Sequence, residues 1–169
     1  MGSSWKMEAR SALPEKMVTD SHEIAGILDE CSTVFLSFQS DPAPYVVPLF
    51  FGHEPGRLYM HCGKKGAKID LMRANAQVGF SAATTVRIVE GKVACAFSAR
   101  ARSVAGMGRA RIVEDEGERR HGLDLIMRHY ASPETDAGFS YREESLSRTN
   151  VIAVDILRMT AKRIGPAAE

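Results

Sequence analysis

The chain lacks the features that announce a membrane, secreted or zinc-stabilised protein. No apolar run approaches the ~20 residues a bilayer-crossing helix needs, and the N-terminus has no signal-peptide core, so a cytoplasmic protein without membrane partners is expected. The three cysteines, Cys31, Cys62 and Cys95, are odd in number and far apart, which implies neither a disulfide framework nor a four-ligand zinc site. With 22 basic against 21 acidic residues the net charge is +1, and no general electrostatic case for nucleic acid exists. The signatures GxSxG, GxxxxGK[ST], HExxH and a helix-opening GxGxxG are all missing. His22, His53, His61, His121 and His129 are scattered without the spacing of a metal-ligand pair, so no metal is expected. Of these, His53 is read in a turn, and His121 and His129 on the solvated side of a helix.

What is present fits one globular domain. A length of 169 residues supports a single substantial core, and 44% hydrophobic with 25% charged residues is ordinary for one. Residues 1–17 show no period and read as an N-terminal arm, leaving 18–165 as the domain. Asp20-Ser21-His22-Glu23 fits a capping box that opens a packing helix with Ile24, Ile27 and Leu28 on one face. Thr33–Phe38, Tyr45–Phe51, Leu58–Cys62, Val78–Ala82, a long stretch to Val113 and Val151–Leu157 read as about six antiparallel strands. Gly106 and Gly108 within the long stretch predict a bulge or a close backbone approach. Asp115–Tyr130 is the strongest helix, with Leu123, Ile126, Met127 and Tyr130 as its apolar stripe. Strands do not alternate strictly with helices, so the expected class is mainly β (α+β), a small antiparallel barrel with peripheral helices.

The chemistry concentrates between Tyr45 and Arg73. Glu54-Pro55-Gly56-Arg57 has the residues of a tight turn between two strands. Pro48 cannot donate to a ladder, which places its strand at an edge, at a bulge or against a ligand. After the next strand, Lys64, Lys65 and Lys68 crowd the start of a short helix spanning Ala67–Arg73. That is the wrong sign for a helix N-terminus, and a bound anion such as a phosphate would compensate. His61, the backbone of Gly63–Gly66, Lys68 and Ser103 are the residues proposed for such a pocket, with ordinary solvated lysines as the alternative.

Several short motifs in one order then carry a resemblance. Pro44-x-x-x-Pro48-Leu49-x-Phe51, Leu58-Tyr59-Met60-His61-Cys62 and Gly66-Ala67-Lys68 resemble the P-x-x-x-P-L-x-F, I-Y-F-H-S-A and G-x-K patterns of the FMN-binding split β-barrel proteins. The similarity is closest to the branch related to pyridoxamine 5′-phosphate oxidase that includes the nitroimidazole-resistance (Nim) proteins. Arg102-Ser103-Val104 with Gly108, and Tyr141 to Thr149, continue it. Ala101 departs from a usual Tyr, Cys62-Gly63 from Ser-Ala, and Ala161 from a Gly. The resemblance implies a six-stranded split barrel and a homodimer with FMN at the interface. Val47, Pro48, Leu49 and Phe50 would lie along the ring, His61 and Cys62 beside it, and Gly66 and Lys68 on the phosphate, with Ser103 nearby on the adjacent strand. The activity it implies is an FMN-dependent oxidoreductase reducing a small electron-poor compound, with His61 as the candidate catalytic residue. A flavin or haem carrier without turnover is the alternative. Pyridoxamine phosphate oxidation, a third possibility, lacks enough basic residues.

Overall fold

The computed structural model of the chain describes residues 14–132 and 138–165. A 3-10 turn at Pro14–Lys16 leads into β1 (Met17–Val18), which pairs with the far end of the last strand, so the described end of the expected arm joins the sheet. Residues 1–13 lie outside the described residues. Helix α1 (Ser21–Glu30) starts where the sequence places it: the Glu23 amide donates to Asp20 Oδ1 at 2.8 Å. The reciprocal half of the capping box is replaced by an ion pair, because the Glu23 carboxylate meets Arg163 at 2.6 Å. Ile27 and Leu28 are buried against the sheet, as the helical spacing requires.

The expected strand at Tyr45–Phe51 is two strands. After β2 (Val34–Phe38), β3 (Tyr45–Leu49) pairs with β2, whereas β4 (Phe51–Glu54) pairs with β5 (Arg57–Gly63). Helix α2 (Ala67–Ala74) follows, then β6 (Gln77–Ala83), β7 (Arg87–Val89), β8 (Ser98–Ile112), α3 (Glu116–Tyr130), α4 (Glu143–Arg148) and β9 (Thr149–Ile164). The path is β3-β2-β6-β8-β9-β5-β4, so consecutive β3 and β4 sit at opposite ends and the barrel is split between them at Phe50. Pro48 therefore lies on an edge strand bonded to β2 alone, where a missing donor costs nothing.

The sheet has nine strands rather than six. Beyond the division at Phe50, β1 and β7 hold two and three residues, too few to display an alternation. Strand β9 runs on past Leu157, where the sequence pattern ends its expected strand, to Ile164. Its far half is solvated on one side, so its apolar pattern fades while its pairing with β8 continues. The glycines of β8 behave as expected: the register shifts between Met107 and Gly108, and a Cβ on Gly106 would meet the Arg158 carbonyl and the Phe80 ring. The Glu54–Arg57 turn also forms, with Gly56 at φ 78°.

Two buried clusters hold the domain. The larger fills the barrel with residues such as Leu36, Phe38, Phe51, Met60, Ile69, Ile152 and Val154. The smaller lies between the outer face of β5 and α3 and contains Tyr59, Leu123, Ile126 and Val151. The stripe expected on α3 is thus only half right, since Leu123 and Ile126 are buried but Met127 and Tyr130 are 42% and 41% exposed. The buried face rotates toward Gly122, which sits against the Tyr59 ring.

Candidate functional site

The split leaves backbone without a neighbour on the sheet. His61, Cys62 and Gly63 pair with Val151, Asn150 and Thr149 of β9, but β4 stops at Phe51, opposite Met60. One further step would have set Phe50 opposite His61. Instead the chain turns away into β3, and among the described residues the last three residues of β5 have no ladder partner on that side. Phe50 is 59% exposed and Val46 52%, while Val47 and Leu49 pack inward on the core. His61 is exposed, and Cys62 is 8% exposed. This break, which the apolar strand β3 leaves on one side and where the His61 imidazole is exposed on the other, is the candidate slot.

The glycine- and lysine-rich loop closes one end of this slot. Gly66 caps α2 with φ 126°, a conformation that disfavours any side chain, and its carbonyl accepts from the Ile69 amide at 2.9 Å. No side chain caps the helix, and the amides of Ala67 and Lys68 have no partner among the described residues. Nor does Lys64, Lys65 or Lys68 meet a carboxylate among them. Burial raises the Cys62 thiol above its usual range, and the nearby charges of Lys68 and Lys64 oppose that rise, which places both ammonium groups close to the end of β5. Open donors, open cations and open space above Gly66 are what an anionic group requires.

Ser103 does not join this set within one chain. It opposes Ala83 of β6 and Lys162 of β9, whereas Gly63 opposes Thr149, thirteen residues back along β9 (149 to 162). At ~3.3 Å per residue that is about 40 Å of strand. Strand β8 is also not the neighbour of β5, because β9 lies between them. Near Ser103 the surface holds a 670 Å³ cavity lined by Arg87, Arg100, Arg102 and Arg163 with Glu23 and Glu30.

Residues missed by the sequence reading hold the split open. Tyr130, assigned there to an apolar stripe, uses its hydroxyl to accept from the Phe51 amide at 3.0 Å and to donate to the Ser32 carbonyl at 3.1 Å. Its ring meets Phe50 edge-on with centroids 5.2 Å apart. The phenol oxygen on an otherwise aliphatic stripe was the available signal. Two of the histidines also differ from the expectation. His53 lies in β4 with its ring 13% exposed and donates to Asp29 at 2.7 Å. His129 is half-buried, and its Nε2 donates to the Cys31 carbonyl at 2.8 Å. His121 is exposed, as expected, and its ring also reaches Glu54 at 2.8 Å. One ring nitrogen each of His53 and His129 and an Asp29 oxygen fall within 4.8 Å of one another, a grouping invisible to spacing because the residues are 24 and 76 apart (29 to 53, 53 to 129).

Comparison with known proteins is consistent with this architecture. A pyridoxamine 5′-phosphate oxidase family profile matches residues 20–163. No curated protein sequence is similar enough to match. Among solved structures, a candidate 5-nitroimidazole antibiotic resistance protein of Bacteroides thetaiotaomicron is 32% identical, with a TM-score of 0.76 over 88% of this chain and 87% of that one. The flavocytochrome Anf3 of Azotobacter vinelandii shares the fold at 18% identity and a TM-score of 0.75, over 94% and 83% of the two chains. An FAD and heme binding protein of Mycobacterium smegmatis does so at 19% and 0.76, over 90% and 77%. Among the described residues no helix is long and apolar enough to cross a membrane. With a family profile covering nearly all of the sheet and a fold split at Phe50, the chain belongs to the pyridoxamine 5′-phosphate oxidase family of split β-barrel proteins.

Proposed function

We propose that the chain is an FMN-binding oxidoreductase that acts as a homodimer on a small electron-poor compound, in the manner of a nitroreductase. The observation that carries this reading is the free edge of β5 at His61–Gly63, facing the β3 strand and ending in a loop of unpaired lysines and amides. A flat ring against Val47–Phe50 and a phosphate against Gly66 and Lys68 match the two halves of that slot in shape and charge. The 32% identical relative described as a nitroimidazole resistance protein supports the substrate class. Flavin, when bound, supplies the hydride chemistry. The chain's own residues bind, orient and shield: Lys68 neutralises the phosphate, Cys62 packs beneath the slot, and exposed His61 stands where substrate would approach.

The second copy is part of the reading. Phe35, Val46 and Pro48 lie on the outer face of the sheet, Phe35 at 49% and Val46 at 52% exposure, beside a 340 Å³ groove that Ala105 and Met107 also line. This face continues into the flavin slot along β3, and a second chain laid on it covers both. Ser103, remote from the slot of its own chain, is then assigned to the slot of the other.

The test is the visible absorption spectrum of the purified protein after incubation with FMN and dialysis. A yellow protein with a flavin spectrum and one FMN per chain is expected. A colourless protein overturns the reading, and a Soret band favours the haem carrier, a reading kept in view by the FAD and heme binding relative. Lys68→Ala removes one charge-assisted contact to phosphate worth about 1.5–3 kcal/mol, so FMN binding should weaken by roughly tenfold to a hundredfold. Unchanged affinity would exclude Lys68 from the phosphate site. Bound flavin that reduces no nitroaromatic acceptor with any donor would leave a carrier.

A further inference from the structure

We infer that Asp29, His53 and His129 form a binding site for a divalent transition metal, with Zn²⁺ as its probe. Three elements supply one ligand each: the last turn of α1, strand β4 and the last turn of α3. A ring nitrogen of each histidine and a carboxylate oxygen of Asp29 already lie within 4.8 Å of one another. Two imidazoles and a carboxylate are a ligand set that Zn²⁺ accepts at ~2.0–2.2 Å, leaving a fourth position for water.

The surroundings are those of a metal site rather than of a surface cluster. His129 Nε2–H donates to the Cys31 carbonyl at 2.8 Å, which fixes the tautomer and leaves the lone pair on Nδ1. Histidine ligands characteristically have their second nitrogen anchored in this way. His53 is held by its 2.7 Å contact to Asp29 and lies with its ring centroid 6.2 Å from that of His129. Tetrahedral ligands at these bond lengths stand about 3.3 Å apart, so the site must adjust by small movements. Asp29, with its side chain 68% exposed, is free to make the largest of them.

The site adjoins the split without being part of the slot. His129 precedes Tyr130, whose hydroxyl anchors the Phe51 amide and the Ser32 carbonyl. A bound metal would brace the end of α3 against α1 and β4 and so steady that anchor.

The experiment uses the untagged full chain, stripped with chelator and dialysed, without regard to flavin content. Titration calorimetry with Zn²⁺ is expected to give one ion per chain and a raised Tm, and Co²⁺ a tetrahedral visible spectrum without a thiolate charge-transfer band. Asp29→Asn leaves the exposed side chain isosteric, and His129→Gln removes the anchored ligand. Each should lower Zn²⁺ affinity by about a hundredfold or more, beyond the 10–100-fold cost of losing an outer partner. His22→Gln, an exposed histidine elsewhere on α1, should change nothing. Circular dichroism of each variant establishes that it is folded. Failure of the parent to bind one Zn²⁺ per chain, or folded Asp29→Asn and His129→Gln proteins that bind as tightly as the parent, overturns the site.

Discussion

Tyr130 closes α3 with one hydroxyl placed between two backbone groups that would otherwise lack each other as neighbours. It accepts from the Phe51 amide, where β4 ends and the chain turns into β3, and donates to the Ser32 carbonyl ahead of β2. Both ends of the split are thus referred to one atom. Tyr130→Phe leaves the ring and its edge contact with Phe50 but strands the part-buried Phe51 amide, which costs about 1–3 kcal/mol when unsatisfied, while the exposed Ser32 carbonyl can turn to water. Allowing for partial access of water, the substitution is expected to lower unfolding free energy by about 1–2 kcal/mol in urea titration and to weaken FMN binding. Full stability in the variant would show that the anchor is incidental. At this scale the sequence is ambiguous because a tyrosine at helical spacing reads equally as core and as anchor, and only the burial of its neighbours decides. His61 was legible because it stands at the end of a short alternating strand beside a loop whose charge breaks a rule. His53 and His129 were not, because their meeting depends on how α3 lies across β4.

The contact between β4 and α3 is where an element, rather than a residue, decides the fold. A Cβ on Gly52 would meet the Leu125 carbonyl carbon, the Ile126 nitrogen at 2.5 Å and the Leu125 oxygen at 2.6 Å, all backbone atoms that no rotamer change can move. Gly52→Ala must therefore push α3 away from the sheet, with the Tyr59, Leu123 and Ile126 cluster behind it. A loss of about 3 kcal/mol is expected, at the upper end for overpacking. Gly26, inside α1 with nothing within 4 Å, offers the opposite case. Gly26→Ala should gain about 0.5–1 kcal/mol from helix propensity alone. Paired thermal melts check both, and equal Tm shifts of one sign would contradict the packing argument. Local periodicity revealed α1, α2, α3 and β5 because each carries its own stripe or alternation. It missed the break at Phe50, since Tyr45–Phe51 is one unbroken β-favouring run and the reason for dividing it is the partner each half finds across the sheet.

At the scale of the whole molecule, the proposed site asks for a second chain. The proposed flavin slot lies at His61–Gly63, yet Ser103 and the arginine-lined cavity lie at the opposite end of β9. The outer sheet face between them is apolar and nearly flat: Phe35 stands opposite Pro48 and Ser81, and small residues such as Gly79 and Ala105 line the groove beside it. Exposed aromatic and aliphatic side chains on a flat sheet face are surface that a second copy would bury with a hydrophobic gain of about 25 cal/mol per Å². Phe35→Glu tests this without touching the residues proposed to hold flavin. The side chain is half exposed, so the fold is expected to survive, while a desolvated carboxylate at the centre of a symmetric contact would meet its own copy. Sedimentation should show a dimer for the parent and a monomer for the variant, and FMN affinity should fall together with the dimer because the slot loses the wall supplied by the second chain. A parent that is monomeric at micromolar concentration yet binds FMN tightly would place the whole site within one chain, and Ser103 would then have no part in it.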